Sequence, residues 1–393
     1  MKILIIGKFP PIQGGVSCET FWTATGLAEL GHDVSVVTNA DEVEESARIS
    51  LSPDDQKWFD DHCTDKGIQV LRTYKDRQHV YIPSGNPVVS KLATLALDHI
   101  HRNRPDVIYA HYLEPYGIVS MLVSLYAGLP FVVRHAGSDL FRLMPTDQLR
   151  SLYQACLKSA TIVLSKKGNW PDLVEIGVEE ARLREPSSLR LRPDVFYMDS
   201  RLPPEGAVRL GIYGKTGEAK GTSELIDGMA QLRLRGVDVT LEALWGGRHV
   251  VEACDRIARL DLEDVIRVHG FLPPWRIGDF IRDCHAILFL ENRFRVRSHS
   301  PGVPLEVSAC GRPIIITEEI ANKRPYDELF EDGRNAVVVR GALTAEKIAE
   351  AVEAMMRSSR IRASYTEKMV DPQVLFCRAV KQAEASLMAA CGS

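Results

Sequence analysis

The chain has 393 residues, 45% of them hydrophobic, too many for one ordinary domain and enough for two domains with a full core each. Lys+Arg 48 against Asp+Glu 52 leaves a net charge of -4, which excludes the overall basic field of a nucleic-acid binder, so any anion must be met locally. The eight cysteines show no C-x-x-C spacing and signal neither a zinc site nor a disulfide framework, so no metal is implied and a reducing cytoplasm suits them.

The opening MKILIIGKFPP reads as a strand and a turn rather than a secretory signal, and no apolar run reaches the ~18 residues that span a membrane. Ile3, Leu4, Ile5 and Ile6 form that strand; Gly7, Pro10, Pro11, Gly14 and Gly15 break it before a helix over residues 18–30, closed by Gly31. Residues 33–38, DVSVVT, are the next strand. The resulting unit of strand, glycine-bearing loop, helix and strand seeds a doubly wound sheet. The loop reads equally as an anion-binding turn or a plain tight turn, because it lacks G-x-G-x-x-G.

Residues 41–76 are polar and acidic, with loops and one helix expected. A helix over 86–103 leads to a strand over 106–111 that ends in His111, and a helix over 116–127 leads to a strand over 131–134. Then comes His135-Ala136-Gly137-Ser138-Asp139. Residues just past the carboxyl end of a parallel strand face the ligand crevice, which makes His135 a candidate for chemistry, while His111 at an equivalent end reads as a satisfied structural residue. A helix over 149–159, a strand over 160–165 and a helix over 170–176 follow. Arg182, Arg184, Arg190 and Arg192 around Pro186 read as solvated surface, with a peripheral membrane or acceptor-phosphate contact as the alternative.

The turn-rich string at 196–207 marks a domain boundary. A strand over 209–213 then opens into GKTGEAKG, where Lys215 and Lys220 among glycines ahead of a helix make a phosphate-cradling site, though not a Walker A loop. A strand over 239–244, a helix over 250–260, an edge strand over 265–272, a helix over 275–283 and a buried strand over 286–290 follow. The last empties into Glu291 and a loop where Arg293, Arg295 and Arg297 alternate; if extended, all three point one way and make a second anion site, and the loop reads at least equally as three solvated arginines on the surface. Residues 298–316, SHSPGVPLEVSACGRPIII, read as a loop, a short helix and a buried strand. Pro304 suits the first turn, Gly311 and Pro313 the stop, and the amides of Gly302 and Val303 the positive end, with Glu306 one turn inside where a carboxylate accepts hydroxyl hydrogen bonds. A strand over 336–339 and helices over 344–357 and 372–390 complete the chain.

Together these residues resemble the retaining glycosyltransferases of family 4 over nearly the whole chain. The resemblance rests on Gly14-Gly15 after the first strand, G-H-D-V at 31–34, D-V-I-Y-A-H at 106–111, His135, Lys215, Lys220-Gly221, Gly270-Phe271-Leu272 and above all P-L-E-V-S-A-C-G-R-P at 304–313. It implies an α/β chain of the GT-B fold: two Rossmann-like, doubly wound parallel-sheet domains facing a cleft. Residues 1–200 would be the acceptor-side domain, 201–371 the nucleotide-sugar domain, and 372–393 a helix crossing back to the first. The activity implied is retaining transfer of a sugar from a nucleoside-diphosphate sugar to an unidentified acceptor, without metal or other cofactor. His135 would contact the transferred sugar. Lys215 and Lys220, with the amides of Gly302 and Val303, would hold the diphosphate; Gly14 and Gly15 would approach it from the other domain; Phe271 and Leu272 would complete the donor pocket and Glu306 would bind the ribose.

Two positions depart from the family pattern. Ser298 stands eight residues before Glu306, where the family has a second Glu, with Glu291 the nearest alternative but seven residues too early; Lys215 stands where the family has an Arg, which loses a bidentate fork. Arg293, Arg295, Arg297, Ser298 and His299 are accordingly candidate anion or acceptor contacts. The departures keep a second reading open, a catalytically weakened sugar-nucleotide binding protein. A Rossmann oxidoreductase is the remote third, disfavoured by the missing G-x-G-x-x-G.

Overall fold

A computed structural model of the chain describes residues 1–75, 86–199, 207–294, 299–358 and 370–392. Contacts divide it into two units, residues 1–190 with 376–393 and residues 191–375.

The first unit is built on apolar runs that a parallel sheet buries on both faces: Ile3, Leu4, Ile5 and Ile6, then Val34, Val36 and Val37, are all buried. Its elements are β1 (Lys2–Gly7), α1 (Gly15–Glu29), β2 (Asp33–Thr38), α2 (Pro53–Asp65), β3 (Gln69–Arg72), α3 (Val88–Asn103), β4 (Val107–His111), α4 (Ile118–Ala127), β5 (Phe131–Arg134), α5 (Asp147–Ser159), β6 (Ile162–Leu164), α6 (Trp170–Glu175) and β7 (Leu183–Arg184). The strands are parallel in the order β3-β2-β1-β4-β5-β6-β7. Winding reverses between β1 and β4, so the loops leaving these strands diverge and open a crevice at their carboxyl ends. Gly7, His111 and Arg134 lie side by side there in register.

Two strands of this sheet were not expected. β3 lies within the stretch read as loops and one helix, where Gln69 to Arg72 are exposed or half-buried and carry little apolar signal. β7 lies inside the arginine-rich stretch read as surface, and it pairs only two residues, Leu183 and Arg184. What holds that stretch is a carboxylate in α1. Buried Glu19 accepts hydrogen bonds from the Leu189 amide at 2.7 Å, Ser188 Oγ at 3.2 Å and Arg134 Nη1 at 3.2 Å, and Arg134 also donates to the Ser187 carbonyl at 2.7 Å.

The second unit repeats the plan with β8 (Val208–Lys215), α7 (Thr222–Leu234), β9 (Val239–Gly246), α8 (Val250–Arg259), β10 (Ile266–His269), α9 (Ile277–Arg282), β11 (Ala286–Phe289), α10 (Val303–Ala309), β12 (Ile314–Thr317), α11 (Glu318–Ala321), α12 (Tyr326–Leu329), β13 (Ala336–Val339) and α13 (Ala345–Arg357). Its parallel order is β10-β9-β8-β11-β12-β13, with the reversal between β8 and β11. The triple isoleucine read as a buried strand is β12, with Ile314, Ile315 and Ile316 all buried.

A last helix, α14 (Pro372–Cys391), has its residues from 376 onward in the first unit. Glu384 accepts from His32 Nε2 at 2.9 Å, and Gln382 donates to the Glu185 carbonyl at 2.9 Å. Among the described residues no helix is long and apolar enough to cross a membrane.

Gly26 is what admits α14 to α1: a Cβ there would stand 2.8 Å from Val380 Cγ2 and 3.0 Å from Leu189 Cδ2, both buried. Alanine inside a helix normally stabilises over glycine by about 0.5–1 kcal/mol. Here overpacking should reverse the sign, and Gly26→Ala should lose about 1–2 kcal/mol in denaturant melts. A variant more stable than wild type would show that this close approach carries no energetic weight.

Candidate active site

In the second unit the carboxyl ends of β8 and β11 lie side by side at the reversal, and the charged residues of interest leave from them. Lys215 ends β8, and Glu291 follows β11 by two residues. A turn over Glu218–Lys220 brings Lys220 back against that end, and the Asn292 amide donates to the Ala219 carbonyl at 3.0 Å, joining the two loops. Gly221 permits the approach. Its φ of 65° is left-handed, and a Cβ would stand 3.1 Å from the Leu290 carbonyl oxygen and 2.4 Å from Leu343 Cδ2.

Glu291 is 4% exposed, and a carboxylate buried to that degree needs charge and hydrogen bonds to hold it. Lys220 Nζ donates to its Oε1, and His299 Nε2 lies 2.5 Å from its Oε2. Thr317 Oγ1 donates to the Glu291 carbonyl at 2.5 Å and fixes the backbone there. The His299 ring stacks on Phe294 with 3.9 Å between centroids, and the Lys220 ammonium stands 4.9 Å over the Phe294 ring. Burial, then the neighbouring Lys215 charge, lower the Lys220 pKa to about 8, so at neutral pH the ammonium is mostly charged. Lys215 itself is exposed, its stem passing the open side of Gly247.

α10 stands where the motif at 304–313 placed it. Gly302 is its N-cap and Val303 its first residue, and the amides of Leu305 and Glu306 both close onto the Gly302 carbonyl at 3.0 and 3.1 Å. Glu306 is buried and accepts from Tyr213 Oη at 2.6 Å, which ties the helix to β8. The preceding loop is held by buried Tyr326, which donates to the Pro301 carbonyl and lies 3.1 Å from Ser300 Oγ. The following turn is held by buried Arg312, whose Nε and Nη2 donate to the Arg282 carbonyl at 3.2 and 2.8 Å.

The remaining expected residues of this unit divide. The strand expected over 265–272 stops at His269, since Gly270 weakens the pairing and Pro273 cannot donate to it. Phe271 and Leu272 are half-buried in the loop beyond, two strands from β8, or about 10 Å at the usual strand spacing. Arg293 is exposed with φ 51°, so the chain turns left-handed there and the extended alternation expected from Arg293 does not begin. Arg295, Arg297 and Ser298 lie outside the described residues. Among the described residues no group of three or more His, Cys, Asp and Glu could hold a metal ion.

In the first unit, Gly14 has φ 107° and caps α1 at Gly15, and the Arg190 guanidinium covers Gly15 at 3.5–3.8 Å from where a Cβ would be. His135 follows β5. Its Nδ1–H donates to the Ala136 carbonyl at 3.2 Å, which leaves Nε2 as an acceptor, buried and without a hydrogen-bond partner among the described residues. Burial lowers its pKa to about 4, so the ring is neutral at physiological pH and can accept from a hydroxyl. Asp139, in the same string, accepts from the Ala136 and Leu113 amides through Oδ2 at 2.8 and 3.2 Å while Oδ1 has no partner among the described residues, and burial pushes its carboxyl up to about 7. His111 is buried 3.1 Å from Thr20 Oγ1, the structural role expected of it.

Sequence reasoning missed Tyr213 and Asp139 as parts of these sets, and took Glu291 only as the nearest alternative to Ser298 for the second carboxylate, seven residues too early. Asp139 had a signal, its place in the string after His135. Tyr213 had none beyond lying two residues before Lys215 on one strand face.

Residues 14–184 match the family model "Glycosyl transferase 4-like domain", and residues 196–369 match "Glycosyl transferases group 1". A comparison with the curated proteins gave no match. Among solved structures, HepE of Anabaena in complex with UDP-glucose aligns over 98% of this chain and 100% of its own, at 17% identity and TM-score 0.67. Sucrose-phosphate synthase from Thermosynechococcus elongatus aligns over 99% and 100%, at 14% identity and TM-score 0.62. The S. aureus MnaA–UDP structure aligns over 99% and 97%, at 14% identity and TM-score 0.61. At such identities the structures speak to the fold, which is GT-B. With the two domain matches, the chain is a glycosyltransferase.

Gly221→Ala should lose about 1–3 kcal/mol of stability, from the left-handed strain and the contact with Leu343, and should weaken binding of a nucleoside diphosphate by displacing Lys220. Denaturant melts and calorimetry measure both. Unchanged affinity would mean that the turn at Gly221 does not place the lysine.

Proposed function

We propose, with the two-domain glycosyltransferase as premise, that this protein is a retaining enzyme of family 4 that moves a sugar from a nucleoside-diphosphate sugar to an acceptor without a metal. The observation that carries the donor reading is the charged set where β8 and β11 part: Lys215 and Lys220 among glycines, with Glu306 held by Tyr213 next to the same strand end. Negative charge grows on the leaving diphosphate as the glycosidic bond breaks. Two ammonium groups fixed there stabilise the transition state more than the ground state, the work a divalent cation does in other sites.

In this reading the amides of Gly302 and Val303 join the lysines on the diphosphate, Glu306 accepts from the ribose hydroxyls, and Phe271 and Leu272 line the base end. His135 accepts a hydroxyl of the transferred sugar through Nε2, its tautomer set by the Ala136 carbonyl. Gly14, with nothing within 4 Å of where a Cβ would be, leaves room for a phosphate beside α1, next to Gly15 and the Arg190 guanidinium that covers it. Retention is supported by the likeness of residues 304–313 to the family motif. Two of the structures described are complexes with UDP-glucose and UDP, which makes uracil the first base to try.

A second reading, a sugar-nucleotide binder with weakened catalysis, draws on one observation: Glu291 already occupies Lys220. Calorimetry that detects nucleotide binding, with no turnover on any acceptor, would favour it.

Mass spectrometry with UDP, GDP, ADP, CMP and dTDP sugars should reveal transfer or slow hydrolysis of at least one, with the anomeric configuration kept by NMR; neither reaction with any donor would sink the assignment. Glu306→Ala or Lys220→Ala should weaken donor binding by about 1–3 kcal/mol, and His135→Ala should lower kcat more than donor affinity. The Lys220 charge is present below its pKa of about 8 and lost above it, so donor affinity should fall as pH rises through that value. Lys220→Arg, which keeps its charge, should flatten that fall. A wild-type affinity that is constant from pH 7 to 9.5 would remove Lys220 from the phosphate.

A further inference from the structure

Glu291 has no place in the family motif, yet it is the most heavily engaged carboxylate at the end of β11. It is buried, it receives the Lys220 ammonium on one oxygen and His299 on the other, and Thr317 holds its backbone. Asn292 beside it pins the turn that carries Lys220. The two ends of the Lys220 side chain are therefore both referred to one short loop.

We propose that Glu291 is a positioning residue that holds Lys220 when no donor is bound, surrenders it to the diphosphate, and takes it back as the nucleoside diphosphate leaves. The proposal rests on the donor reading above. The Lys220 ammonium has three hydrogens and stands over the Phe294 ring, so it can turn about its stem without leaving its aromatic support. When it turns, Glu291 keeps His299, and His299 keeps its stack on Phe294. A buried carboxylate with one partner removed and none remaining would be strongly penalised, and His299 is what makes the exchange affordable.

Two oppositely signed consequences follow from the exchange. A carboxylate that competes for Lys220 weakens the product complex, so removing its charge should tighten binding of a nucleoside diphosphate. Removing the His299 donor leaves Glu291 dependent on Lys220 and should loosen that binding. A residue that merely supported the fold would loosen binding in both cases.

The experiment is calorimetric titration of the full chain with UDP, GDP, ADP and inorganic pyrophosphate, in wild type, Glu291→Gln, His299→Phe and Lys220→Met, with thermal melts to show that each is folded. His299→Phe retains a ring to stack on Phe294 and deletes only the polar partner. Glu291→Gln should bind the preferred diphosphate about three- to tenfold more tightly, His299→Phe about three- to tenfold more weakly, effects of the size expected for a partly buried charge pair. In the Lys220→Met background the gain from Glu291→Gln should be mostly lost. Equal or weaker binding by folded Glu291→Gln, or the same gain without Lys220, overturns the proposal and leaves the donor reading standing. If Glu291→Gln does not fold, His299→Phe decides: unchanged or tighter binding overturns the exchange. Wild-type protein that binds none of the four probes removes the donor reading, and the exchange with it.

Discussion

The second unit depends on one constraint: a carboxylate, Glu291, that the sheet buries where β8 and β11 part. Such a group stays charged only if cations and donors reach it. Lys220 and His299 do so, and their reach dictates the local chain path. Lys220 must fold back over its turn, Gly221 must adopt a left-handed conformation against Leu290, and the loop after β11 must return His299 beneath Phe294. α7 starts directly after Gly221, so the phosphate-facing turn and the helix behind it share this one anchor. Packing then finishes what charge begins, with Leu225, Ile226, Met229 and Leu232 of α7 in the core under β8, β9 and β11.

The two units use the same winding for different electrostatics. At the reversal of the second sheet, cations remain available: Lys215 is exposed and Lys220 half-buried, and they sit close enough for one to lower the pKa of the other. At the corresponding ends of the first sheet, charge is consumed internally. Arg134 is committed to Glu19 and to the Ser187 carbonyl, His111 and His135 are neutral through burial, and Asp139 is half-titrated near neutrality. What the first unit offers a ligand there is chiefly neutral hydrogen-bonding capacity, in particular Nε2 of His135, with Lys8 over the Tyr112 ring and Arg190 over Gly15 as nearby cations. That is a surface suited to hydroxyls, and the second is suited to phosphates.

How much of this the sequence disclosed follows from the range of each interaction. Strands covered on both faces announce themselves as apolar runs, so β1, β2, β4, β5, β11 and β12 were legible. β3 and β7 were not, because edge strands with Gln69, Arg72 and Arg184 carry no such run and owe their pairing to the neighbouring strand. α10 and its glycine stop were legible because helix termini are written locally, in Pro304, Gly311 and Pro313. The Glu291 cluster was not. Its partner Lys220 lies 71 residues away, and counting back eight positions from Glu306 led to Ser298 instead. Spacing within a motif finds a residue only when the chain path between its members is preserved. Here the chain turns left-handed at Arg293, between Glu291 and Glu306.

The other departure is Lys215 in place of an arginine. Arginine would hold a diphosphate through a planar fork, in a geometry fixed before the ligand arrives. A lysine at 215 beside a lysine at 220 instead stores repulsion, since burial and like charge both depress the inner ammonium. An anion arriving between them would relieve that repulsion, so part of its binding free energy would come from screening like charges already in place. Glu291 caps the strain in the absence of the ligand. Under the proposed exchange the same carboxylate opposes the ligand, which would limit how tightly a spent nucleoside diphosphate can be held. A site built from two point charges and a competing carboxylate therefore gives up affinity for the leaving group, a compromise that suits an enzyme that must release it in every cycle.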